Sequence, residues 1–156
     1  MIDRTTAPLG ALLLRVSLGV MFVAHSVYLK AFVFTLPGTA RFFESIGLPG
    51  PLAYATFAAE AIGGVLLIAG VKARWVALAL VPVLAGATWA HAGSGWLFTN
   101  AGGGWEYPLF LTIAALAQAL VGDGAYALSR SGSFGELEPA RGALAPALSR
   151  GKGGAF

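Results

Sequence analysis

The chain has 156 residues, of which 57% are apolar and only 11% charged, with a formal charge of +3 and no cysteine. A soluble domain carries roughly 25% charged residues, so there are too few charges here for a soluble surface, and the chain reads as a single membrane domain. The absence of cysteine excludes disulfides, zinc–thiolate sites, iron–sulfur ligation and a cysteine nucleophile, so any redox role must draw on a cofactor.

The first apolar run opens after Arg4 and Pro8 and continues across residues 9–33. It is too long for a cleaved signal segment and carries Arg15 inside it, so an uncleaved first span is expected. Pro49-Gly50-Pro51 introduces a second span over 51–70, and a third follows over 75–92 with Pro82 inside it, a residue that membrane helices tolerate. The fourth, 106–122, opens at Glu106-Tyr107-Pro108 and closes at Gly122-Asp123-Gly124, which fits helix-boundary chemistry. Residues 1–128 therefore read as an all-α, polytopic four-helix bundle. The Gly/Ala/Ser/Pro-rich residues 129–156 read as a flexible cytoplasmic tail.

Basic residues set the orientation. Arg4, Lys72, Arg74, Arg130, Arg141, Arg150 and Lys152 fall on one side, and only Lys30 and Arg41 on the other. The loop between spans three and four, 93–105, has none, so both ends are expected in the cytoplasm. Trp75, Trp96, Trp105, Tyr54 and Tyr107 lie near span ends, as interfacial aromatics do. The positive charge serves this topology, and with no basic, aromatic-interleaved patch no nucleic-acid partner is expected.

Ionisable groups inside spans are costly and usually face the protein interior or a water-filled cavity. From the helical rise, Arg15 lies about 9 Å above the cytoplasmic end of span one and Glu60 about 13 Å below the outer end of span two. On a helical wheel Arg15, Gly19, Phe22, Ser26 and Lys30 share one face of span one. Arg15 is long enough to reach toward Glu60, so the two are expected to form a charge pair, either beside a ligand path or as a lock on helix register. Gly63-Gly64 allows close helix approach. His25, His91, Glu106 and Tyr107 gather in the outer half and, with Glu60, are the candidate ligand-binding residues. Three roles stay open for the histidines: hydrogen bonds to a quinone-like carbonyl, interior structure, or haem or metal ligation with Glu106. No metal-ligand spacing motif is present, so no metal is assigned, and no residue is marked as catalytic. Lys30, Arg41 and Glu44 read as solvated or snorkelling charges.

Several of these residues also carry a resemblance. Leu14-Arg15-Val16-Ser17-Leu18-Gly19 with Phe22 and His25 resembles the first span of the DoxX family. Ala59-Glu60, Gly63-Gly64 and Gly70-Val71-Lys72-Ala73-Arg74 are similar to its second span and inner loop, and Trp105-Glu106-Tyr107-Pro108-Leu109 to its fourth-span opening. The family commonly has glycine after the histidine and lysine four residues beyond it, whereas here Ser26 follows His25 and Lys30 is five residues on. The resemblance implies a four-helix bundle in the bacterial inner membrane, associated with quinone-linked oxidation of sulfur or thiol compounds or with oxidative-stress defence. It also implies a soluble or peripheral redox partner alongside membrane lipid. A quinone is the expected cofactor, and a homo-oligomer is compatible with the sequence. A non-catalytic scaffold, assembly factor or small-solute carrier is the competing expectation.

Overall fold

The computed structural model describes residues 3–132. Among them the fold is all-α. Helix α1, Ala7–Val23, continues without a break into a π-helical segment, Ala24–Val33. Then come α2 (Leu36–Ser45), α3 (Pro51–Ala69), α4 (Ala73–Ala90) and α5 (Glu106–Val121). Ala7–Val33, α3 and α4 are long and apolar enough to cross a membrane, and α5 is apolar but shorter. Prolines stand in the first turns of α1, α2, α3 and α5, where the missing N–H is no loss. Helix α2 was not expected. It is a short helix whose Thr35 hydroxyl accepts from the Gly38 amide at 3.2 Å, and it packs on α3 and the π segment.

The long helices run alternately up and down, with α1 packed closely on α3 and α4 on α5, and looser contacts closing the ring. The core is built of Leu18, Phe22, Leu67, Leu80, Leu84 and a row of alanines on α4 and α5. Small residues let the helices approach. A Cβ on Gly64 would lie 2.9 Å from the Gly19 carbonyl oxygen, and one on Gly19 2.7 Å from that of Gly64. The adjacent Gly63 faces Leu80 of α4, so the Gly-Gly pair lets α3 contact two neighbours at once.

One end of the bundle holds the start of α1, the α3–α4 turn and the chain after α5. This basic end is closed by backbone pairing: Ser129 donates to the Gly70 carbonyl at 3.0 Å, and Lys72 donates to the Ser129 carbonyl at 2.8 Å. Asp123 accepts from the Ser131 amide at 2.7 Å and hydroxyl at 2.5 Å, and Trp75 Nε1 donates to the Ser131 carbonyl at 3.1 Å. Residues 129–131, read from composition as the start of a flexible tail, are therefore tied to the bundle; from 133 onward that segment lies outside the described residues. Composition misled here because the anchoring is mostly through main-chain groups, which leave no hydrophobic signature.

Candidate functional site

Arg15 and Glu60 are not partners, a correction to the expected charge pair. Arg15 is 1% exposed and turns toward the basic end. Its Nη1 donates to the carbonyls of Leu67 and Ile68 at 3.1 and 3.3 Å, and its Nη2 to that of Ala125 at 3.1 Å. These are C-terminal carbonyls of α3 and a carbonyl of the chain after α5. The guanidinium thus neutralises the negative end of a helix dipole and ties three chain segments together. Gly70 makes the room: its φ is +72°, and a Cβ there would collide with Arg15 Nη1. Arg74 works similarly on α5, donating to the Ala119 carbonyl at 2.8 Å. Beside it, burial acts to raise the Asp123 pKa. Hydrogen bonds from Ser131 and from the amides of Arg74 and Ala73 outweigh that effect and hold the carboxyl below its usual value.

Glu60, 6% exposed, instead forms an ion pair with Lys30, which sequence reasoning had placed among solvated charges. Lys30 sits on the π segment, whose last turn is closed by the Phe34 amide donating to the Leu29 carbonyl at 2.8 Å, five residues back. Such a ladder sets residue i+5 near the line of residue i, whereas an α-helix sets i+4 there. His25 and Lys30, five apart, therefore come onto one side of the segment. Ser26, fully buried, donates to the Phe22 carbonyl at 2.7 Å. This back-bonding occupies a carbonyl where the α ladder gives way, and it favours a bend.

His25 and Tyr107 come together: their rings stack with centroids 5.9 Å apart at 26°. His25 Nδ1 lies 2.9 Å from the Met21 carbonyl oxygen. A carbonyl only accepts, so in the neutral ring Nδ1 carries the proton and Nε2 keeps its lone pair. The Tyr107 hydroxyl donates to Met21 Sδ at 3.3 Å, which joins α5 to α1. His91 stands apart from this pair. Its Nδ1 meets the Gly102 carbonyl at 2.9 Å, and its ring stacks on Phe42 of α2 with centroids 6.5 Å apart. Glu106 uses one carboxylate oxygen to accept from the Phe98 amide at 3.0 Å. Among the described residues no three His, Asp or Glu side chains gather as a metal site would require.

Five candidates thus lie toward the histidine end but divide into three clusters: His25 with Tyr107, Glu60 with Lys30, and His91 and Glu106 within the α4–α5 connection. Lys30 was the residue missed, and its signal was its spacing of five from His25. Met21 and Phe42 left no signal, since apolar side chains on apolar helices read only as packing.

The sequence profile of the family described as DoxX matches residues 10–93, which take in α1 from Gly10 onward and continue through α4, with Arg15, His25, Lys30, Glu60 and His91. The chain belongs to the DoxX family. A similar protein of Bacillus subtilis (strain 168), named "Putative oxidoreductase CatD", is 44% identical over 79 residues, covering 51% of this chain and 57% of that protein. The chain thus spans little more than half the length of this DoxX relative. No solved structure matches. Family membership and the apolar helices together make this a membrane protein of the DoxX family.

Proposed function

We propose that this DoxX protein is a four-span subunit of the bacterial inner membrane, with both ends cytoplasmic, that binds a quinone or its quinol near His25 and Tyr107. In this reading it works with a soluble or peripheral redox partner in the oxidation of sulfur or thiol compounds or in oxidative-stress defence. The observation that carries the reading is the His25 imidazole. With Nδ1–H on its own helix and Tyr107 stacked on its face, it keeps a lone pair at Nε2. Such a nitrogen accepts a hydroxyl proton, and an isoprenoid quinol is a hydroxyl-bearing ring that dissolves between membrane helices.

The residues present fit the group. When bound, a quinone would accept the two electrons and two protons released in the oxidation of the sulfur or thiol compound, becoming the quinol. His25 Nε2 would accept a hydrogen bond from a quinol hydroxyl and so orient the ring, with the Tyr107 ring limiting the tilt of the imidazole. The Lys30–Glu60 pair holds the π segment against α3, so His25 keeps its direction. With no cysteine in the chain, the electrons would reach the quinone from the partner.

The test is titration of a short-chain quinol into protein held in nanodiscs. Saturable binding is expected, weakened roughly tenfold by His25→Leu, the scale of one lost hydrogen bond. Tyr107→Phe keeps the ring and should change little. Equal binding by the parent and His25→Leu would remove the site from this role and leave the scaffold or carrier reading.

A further inference from the structure

The connection between α4 and α5 exposes three consecutive apolar side chains: Trp96, Leu97 and Phe98 are 52%, 53% and 65% exposed. Residues 92–105 include no charged side chain. We infer that the loop 95–105 is a membrane-docking element, seated in the headgroup and upper acyl region of the leaflet at the histidine end.

Three observations carry this. The first is that backbone bonds fold the loop back over the start of α5, with the Phe98, Asn100, Gly103 and Trp105 amides bonded within it or to its end. Trp105 donates to Gly95 at 3.1 Å, Glu106 to Trp96 at 3.2 Å, Asn100 to Leu97 at 3.0 Å and Gly103 to Asn100 at 2.8 Å. The Phe98 amide donates to the Glu106 carboxylate, and the Asn100 side-chain amide to the Ser94 carbonyl at 2.9 Å. A protein partner reading the backbone would find these groups already used.

The second is length. Helix α5 has 16 residues, about 24 Å at the helical rise, against a hydrocarbon core of about 30 Å. The backbone bond from Glu106 to Trp96 places the apolar triad beside the first turn of α5, where the missing apolar length would lie. The third is side-chain chemistry. Trp96 packs edge-on to Trp105, with centroids 4.5 Å apart at 90°, a tryptophan pair of the kind that favours the membrane interface over water. The Glu106 carboxylate then has a defined role in holding the loop folded over the start of α5.

Because the chain has no cysteine, a single Phe98→Cys variant can be spin-labelled in liposomes without a background signal. The label should be more accessible to oxygen, which concentrates in lipid, than to a water-soluble nickel chelate. Accessibility mainly to the chelate would show a loop in water and overturn the inference, and accessibility to neither would show a protein cover and overturn it equally. A second measurement uses Trp96 as the sole tryptophan, with Trp75, Trp89 and Trp105 changed to Phe. Its emission should be quenched by lipids brominated near the glycerol and be roughly threefold or more protected from iodide relative to free tryptophan. Full iodide quenching without lipid quenching would reject the inference.

Discussion

Arg15 and Glu60 find different partners because a guanidinium and a carboxylate meet different local fields. Arg15 begins near one end of the bundle, and its long side chain reaches the C-terminal carbonyls of α3, where partial negative charge is already concentrated. Glu60 sits mid-helix with no free amides near it, so only a mobile cation can neutralise it, and Lys30 does so from the neighbouring π segment. Removing one member of a buried pair strands the other in low dielectric. Glu60→Gln or Lys30→Met alone should therefore cost about 3 kcal/mol, and the double variant should recover much of that loss. Arg15→Leu combined with Glu60→Gln should instead be additive within about 0.5 kcal/mol. Thermal unfolding in detergent measures both cycles; strong coupling of Arg15 to Glu60, with none between Lys30 and Glu60, would contradict the assigned pairing.

The element that most shapes the histidine end is the π segment. Its five-residue ladder keeps His25 and Lys30, five apart, on one side of the helix. Deleting Val27, which is exposed there, should let an α ladder form with His25 and Lys30 four apart, leaving stability within about 1 kcal/mol of the parent. Deleting Ile62 in the middle of α3 has no such relief. It would rotate Gly63 and Gly64 off the α4 and α1 contacts and should cost upward of about 4 kcal/mol. Unfolding temperatures of the two deletions, and the Lys30–Glu60 cycle repeated in the first, test this. Equal damage from both deletions would show that the π segment cannot give up a residue and return to an α ladder.

At the scale of the whole molecule, the basic end is fastened by arginines on helix termini and by main-chain pairing, while the histidine end is built from side-chain contacts between helices. This asymmetry suits the proposed orientation, with the fastened end in the cytoplasm beside Arg4, Lys72, Arg74 and Arg130. A reporter active only in the cytoplasm should work when fused after Lys72 and fail within residues 93–104. Activity in that loop would reverse the orientation.

The membrane class, the helix boundaries at proline and glycine, and the buried stripe of Arg15, Gly19, Phe22 and Ser26 were all legible in the amino-acid sequence. Each rests on local composition or on the helical period, which the chain carries in every window. The partners of Arg15 and Glu60 were not legible, nor were the anchoring of Ser129 and Ser131, helix α2 and the stacking of His25 on Tyr107. Those depend on which chain segments meet in space. A depth estimated along one helix says how far a charge lies from the membrane surface, but not which carbonyls or carboxylates of another helix stand within reach. A departure from α periodicity in the π segment then turns side chains in a way that no 3.6-residue wheel displays.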